Sequence, residues 1–275
     1  DKQIGNTFAV SASYIWRKYQ NFRWSPTDNW SSANYAPASY TPPASACPSG
    51  ARCETVNYYV RTSQPGVNYT VTNQPDYWRG YQGFELTAVK RMADNWMMSA
   101  SYSLNDAPVH YDSPAAYQDP TNIDQLNGGQ YAPESTSSGL GNVFVNAKWL
   151  FRLTGSYTLP WWQINVAGFY NSRSGYPFIA TVLTPTRPFS GGTANVYLDR
   201  LGDNRLPNFQ TVDFRVDKPF TLYGKVKVVA SVDIFNLLNG NTTLSMRGTQ
   251  NAANANTISS LLAPRVARFG ARVTW

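Results

Sequence analysis

The 275-residue chain is 14% charged, against about 25% in ordinary soluble domains, yet 15% aromatic, with nine Trp and eighteen Tyr. Its formal charge of +7 comes from 23 basic and 16 acidic residues. The basic residues form no stripe or run and the aromatics no compact stacking motif, which argues against a nucleic-acid partner. No apolar run reaches the roughly 18 residues of a membrane helix, and mean hydropathy is −0.39. Strands of about 9 to 11 residues with one wet face can still cross a membrane.

The chain starts inside an alternating stretch, Asp1-Lys2-Gln3-Ile4, without the basic segment and apolar core of a secretory signal. This predicts that a leader has been removed, or that the sequence is the C-terminal part of a longer polypeptide. Alternation with period 2 predicts a strand over 8–18, with Phe8, Val10, Ala12, Tyr14 and Trp16 on one side. A long polar segment, 19–80, follows. Within it Val56 to Arg61 and Val67 to Thr72 could form an extra hairpin around Gln64-Pro65-Gly66.

Strands are next predicted over 81–91 (Phe84, Leu86, Ala88) and 96–104 (Trp96, Met98, Ala100, Tyr102), joined by a short turn at 92–95. After a second long segment, 105–142, the cleanest alternation runs from Val143 to Thr158. There Val145, Ala147, Trp149, Phe151, Leu153, Gly155 and Tyr157 share a side, and only Leu150 interrupts the polar one. A short turn at 159–161 leads to a strand over 164–170, a third long segment spans 173–208, and strands at 212–218 and 226–234 flank a turn at 219–224. The fourth long segment, 238–264, precedes a final stretch in which Phe269, Ala271, Val273 and Trp275 alternate with Arg268, Gly270, Arg272 and Thr274.

Short and long connections therefore alternate, the asymmetry of outer-membrane barrels with short periplasmic turns and long extracellular loops. The fold expected is all-β: antiparallel transmembrane β-barrel strands, one region over residues 1–275 with about eight to ten strands. Trp96, Tyr157, Trp161, Trp162 and Trp275 flank the short-turn side and are candidates for one membrane-interface girdle. A soluble sandwich would instead bury its aromatics near strand centres. The location implied is the bacterial outer membrane, with its lipid as a partner.

Candidate chemistry is sparse. Cys47 and Cys53 lie in a Pro, Ser, Ala and Gly-rich stretch and are candidates for a local disulfide, which implies an oxidising compartment. A metal pair there lacks ligands, since the chain has no other Cys and a single His, His110. His110 sits near Asp106 and Asp112, but no nucleophile beside it can be singled out. Gly139-Leu140-Gly141 and Gly191-Gly192 lack phosphate-loop context. No enzyme activity and no cofactor are expected. Glu85, Lys148, Arg152, Asp213, Arg215, Asp217, Lys227, Asp233, Arg268 and Arg272 fall on the polar sides of strands and are the lumen-facing candidates. Cross-strand ion pairing accounts for such mixed charge more readily than direct substrate contact.

Several stretches together resemble the C-terminal barrel region of TonB-dependent outer-membrane receptors, the Oar-like group with a carboxypeptidase-regulatory-like domain. They are Tyr81-Gln82-Gly83-Phe84-Glu85-Leu86 with Lys90-Arg91, Trp96 leading into Ala100-Ser101-Tyr102, and Leu153-Thr154-Gly155-Ser156-Tyr157 with Pro160-Trp161. Further on come Arg173-Ser174-Gly175-Tyr176-Pro177-Phe178, Asp213-Phe214-Arg215-Val216 with Lys218, Asp233-Ile234-Phe235-Asn236-Leu237-Leu238-Asn239, and Ala263-Pro264-Arg265 to Trp275.

The resemblance implies a barrel of about 22 strands filled by a plug. The plug, the TonB-contacting segment and the first barrel strands would lie upstream of Asp1. It implies transport of a ligand captured by the extracellular loops. It also implies that Phe269, Val273 and Trp275 serve as the signal read by the barrel-assembly machinery, with Trp in place of the family's usual Phe. The alternative is a self-contained eight-stranded outer-membrane barrel with a structural or adhesion role.

Overall fold

A computed structural model describes residues 1–74, 76–107, 109–112, 147–199, 202–222 and 226–275. The loop stretch 113–142 and the start of the strand expected at 143 lie outside the described residues, as do Gly139-Leu140-Gly141.

One antiparallel sheet dominates. In order across it lie Lys2–Ile4, Phe8–Tyr19, Tyr77–Ala93, Trp96–Asp106, Trp149–Leu159, Ile164–Arg173, Phe209–Thr221, Lys227–Phe235 and Val266–Thr274. Val109–Tyr111, which includes His110, adds beside Tyr77–Arg79. Neighbours in the sheet are neighbours in sequence, so every connection is a hairpin, and the short turns all fall at one end. The order does not return upon itself: Lys2–Ile4 and Val266–Thr274 are its two ends.

The alternating pattern places the strand cores, while the observed strands run longer. The segment expected at 81–91 extends over Tyr77–Ala93, and that at 212–218 over Phe209–Thr221. The latter passes through Pro219, where a turn is expected from sequence. The preceding strand's pairing stops at Asp217, so Pro219 borders one partner alone and its missing N–H is tolerated. The connection after Ala93 tightens to Asp94-Asn95, both left-handed at φ 52° and 66°. Asn and Asp accept that conformation, which matches the twist of a two-residue hairpin.

The hairpin expected around Gln64-Pro65-Gly66 does not form. Val56–Arg61 pairs instead with Tyr35–Tyr40, and Thr72–Asn73 pairs with Arg23–Trp24. Both are separate ribbons off the main sheet. The third and fourth long segments also fold back, Thr181–Leu183 on Asn195–Tyr197 and Thr243–Met246 on Ile258–Leu261.

The buried core sits in these loops and not against the sheet. Val182 and Ala194 are 0% exposed, Gln250 is 1%, and Val56, Val182 and Val196 form one apolar cluster with Tyr40, Tyr58 and Leu198 around it. In the final strand, by contrast, every residue is exposed.

Candidate functional site

The register gives the sheet two chemically distinct faces, because directly opposed residues of antiparallel strands share a face. On one, Ala12 opposes Leu86, which opposes Tyr102, followed by Phe151 and, nearby, Leu153 and Tyr170. The same face continues through Val212, Phe214 and Val216 to Ile234, Val232 and Phe269. Tyr14, Trp16 and Phe269 are 66%, 63% and 78% exposed there. A shallow depression of 690 Å³ crosses it where Gly155 opposes Gly168, bordered by Leu153, Tyr157 and Tyr170.

Lysines mark the ends of this apolar face. Lys18 lies 4.6 Å from the Trp78 ring at the loop end, while Lys90 and Lys218 lie 4.0 and 5.4 Å from the rings of Trp96 and Phe220 at the turn end. Lys90 also donates to the carbonyls of Ala93 (2.8 Å) and Trp96 (3.1 Å), tying its stem across the turn. Trp96 opposes Tyr157 directly, Trp161 and Trp162 are 84% and 65% exposed in the adjoining turn, and Trp275 follows the last strand.

The other face is polar. Ser11, Thr87, Ser101, Arg152, Asn171 and Thr211 make one continuous row across six strands. Of the sequence-predicted lumen candidates, Glu85, Arg152, Asp213, Arg215, Asp217, Lys227, Asp233, Arg268 and Arg272 all fall on this face. Lys148 lies just outside the ladder, its N–H donating to Ser174 Oγ at 2.7 Å.

Four of these residues meet as a cluster. Asp233 accepts from Arg215 at 3.1 Å on one side and Arg268 at 3.0 Å on the other, and Arg215 also reaches Asp217 at 3.2 Å. A polar recess of 340 Å³ opens beside them at Gly270, with Arg272 on its rim. Asp213 serves the backbone instead, its Oδ1 accepting the Asn236 N–H at 2.8 Å. Including Arg17, Arg79 and Arg173, the ladder of this face holds eight cations and four carboxylates.

Above the sheet, three long loops lock into one cap. Cys47 and Cys53 are joined by a disulfide with Cα atoms 6.1 Å apart. The ring they close reaches both other loops: Arg52 N–H donates to Gln250 Oε1 (3.0 Å), Arg52 Nη1 meets Asp199 (2.6 Å), and Asn256 Nδ2 donates to the Gly50 carbonyl (3.2 Å). The hydrogen bond that Arg52 donates to the Asp199 carboxylate raises the guanidinium's pKa. Thr181 and Gln250 exchange backbone bonds with the opposite loop, Thr181 N–H to Gly248 and Gln250 N–H to Thr181.

Buried Arg187 is held by the carbonyls of Gly191, Gly192 and Tyr59, and burial lowers its pKa, with Arg61 adding to the effect. Gln250 and Arg187 carry no motif, and only the partners that folding brings from distant segments distinguish them. Gly248 has a comparable role: a Cβ there would lie 2.0 Å from the Ile179 carbonyl.

The sequence matches no family model and no curated protein. In structure it is similar to the outer membrane transporter YddB from Escherichia coli, with a TM-score of 0.52 at 14% identity over 98% of this chain. The fold is that of an outer-membrane β-barrel. The barrel wall seen here spans 31% of that transporter's length. Among the described residues no helix is long and apolar enough to cross a membrane.

Proposed function

We propose that this chain is the C-terminal barrel wall of a TonB-dependent outer-membrane receptor of the Oar-like kind, in the bacterial outer membrane. Its long loops bind an extracellular ligand, and a plug encoded upstream governs the ligand's passage. The two-faced sheet with lysine and aromatic marks at both ends carries the reading. From Gly80, opposite Lys18, to Lys90, opposite Phe8, the strand advances ten residues. That is about 33 Å along the strand and, at a tilt of roughly 40°, about 25 Å across a membrane, the height of an outer-membrane barrel's apolar band.

On this reading the apolar face meets lipid and the Ser, Thr, Asn and Arg face meets the lumen. Trp96, Tyr157, Trp161, Trp162 and Trp275 sit at the periplasmic interface. Phe269 and Val273, on the lipid side, and Trp275 present the signal to the barrel-assembly machinery. TonB engages a segment upstream of this wall. The open strand order supports a larger barrel, because unpaired edges in lipid are not viable. A self-contained eight-stranded barrel would need its first and last strands paired to each other, and they are not.

Intact mass and tryptic mapping of the native detergent-extracted polypeptide test this. A mass far above 30.6 kDa, with peptides preceding Asp1, is the expected result. A native mass near 30.6 kDa would remove the case for plug-gated transport.

A further inference from the structure

The ribbon in the first long loop has one edge that nothing in the described molecule covers. Arg23–Trp24 pairs with Thr72–Asn73. The pairing continues as Thr70 N–H donates to Pro26 (3.2 Å) and Asp28 N–H to Asn68 (3.0 Å), around a bridge between Thr27 and Tyr69. In an antiparallel pair the backbone groups of successive residues point to opposite sides. Asn68 and Thr70 therefore turn theirs inward, while Tyr69 and Val71 turn theirs outward, where no described backbone group bonds to them.

The side chains add a second, independent feature. Tyr69 and Val71, 62% and 53% exposed, share one side of the extended segment, and Val67, 92% exposed, precedes them at a bend. From Val67 to Asn73 the sequence reads Val-Asn-Tyr-Thr-Val-Thr-Asn, rich in β-branched and aromatic residues, without charge, Pro or Gly. Natural edge strands are guarded by charge, proline or bulges. The other strand of this ribbon has such guards in Arg23, Pro26 and Asp28, whereas this edge has none.

We propose that Val67–Asn73 is a strand-addition site that takes an extended, uncharged polypeptide segment as an additional β-strand. Outward N–H and C=O groups at Tyr69 and Val71 would bond the partner's main chain, and the Tyr69 and Val71 side chains would pack against its alternate apolar side chains. A glycan or lipid would satisfy the apolar side chains or the polar groups singly, but not a ladder with the spacing of a strand. This assigns an extended polypeptide as the chemistry captured at the loop, and it rests on the proposed function only in placing the ribbon outside the membrane.

The test uses the full natural polypeptide in detergent and a fluorescently labelled peptide of the segment's own sequence, Val-Asn-Tyr-Thr-Val-Thr-Asn, as a self-complementary probe. Saturable binding is expected, weakened at least about tenfold by Val71→Pro. That substitution deletes an outward donor and spares the inward bonds of Asn68 and Thr70. Tyr69→Lys, which guards the edge with a charge and leaves the backbone alone, should weaken binding similarly. The same peptide N-methylated at alternate residues should not bind. Absence of saturable binding to wild type, or equal binding by wild type and both variants, would overturn the proposal. Either result leaves the mass measurement untouched, so failure here is distinct from failure of the transporter reading.

Discussion

At Asp233 a single carboxylate, 9% exposed, is shared by two guanidinium groups that are 43% and 62% exposed. Asp233→Ala removes the carboxylate that Arg215 and Arg268 share and leaves Arg215 its contact with Asp217. Because both guanidinium groups keep solvent contact, the expected loss is about 1–2 kcal/mol, below the value for a fully buried pair. The midpoint of heat modifiability on a gel measures it, and an unchanged midpoint would show the cluster to be stabilising nothing.

In the cap, burial pushes the Tyr197 phenol up to about 12. Its neutral form is favoured in the folded state, so this stabilisation is complete below the unfolded value of about 10. It is lost as pH rises from there through the folded value. An ultraviolet difference titration of wild type against Tyr197→Phe should show one tyrosine ionising near the top of that window. If the missing tyrosine titrates with the bulk, burial is not acting on it.

Individual strands owe their length to alternation, and their ends are settled by turn chemistry and anchoring side chains. Asp94-Asn95 closes one hairpin in the left-handed region, and Lys90 staples it by reaching across to two carbonyls beneath the Trp96 ring. Lys90→Ala should loosen this hairpin by about 1–2 kcal/mol, from lost charge-assisted hydrogen bonds and cation–π attraction. Hydrogen exchange at residues 91–97 should accelerate while the Trp149–Leu159 hairpin stays protected. Equal acceleration in both would point to general destabilisation.

At the scale of the whole molecule, wall and cap are held by different forces. The wall leaves its apolar face exposed, whereas the cap has its own apolar cluster and polar cross-links centred on the Cys47–Cys53 ring. Opening so small a ring by Cys47→Ser with Cys53→Ser removes a chain-entropy contribution of about 2 kcal/mol. It also frees Gly50 and Arg52 from their sockets. Proteolytic cleavage within residues 48–64 and 185–192 should speed up several-fold, with the heat modifiability of the wall unchanged. Concerted loss of both would mean that cap and wall do not unfold separately.

How much was legible in the sequence follows from these forces. Alternation is a local property with period 2, so the strand positions, the two faces and the polar set from Glu85 to Arg272 could be read without a fold. The loop lengths told which end of the sheet was which. The pairing inside the loops could not be read: Val56–Arg61 had an apparent partner at 67–72, yet the tertiary fold gives it Tyr35–Tyr40. Short strands without a clean alternation have no register of their own, and distant segments decide it by burying a shared core. Gln250, Arg187 and Gly248 were silent for the same reason, since a buried amide or a crowded glycine is defined by what surrounds it. The sequence alone determined a two-faced sheet suited to lipid on one side. Only the tertiary structure decided that three loops join into one cap, and that Asp233 serves two arginines on neighbouring strands, because both depend on contacts between residues far apart in the chain.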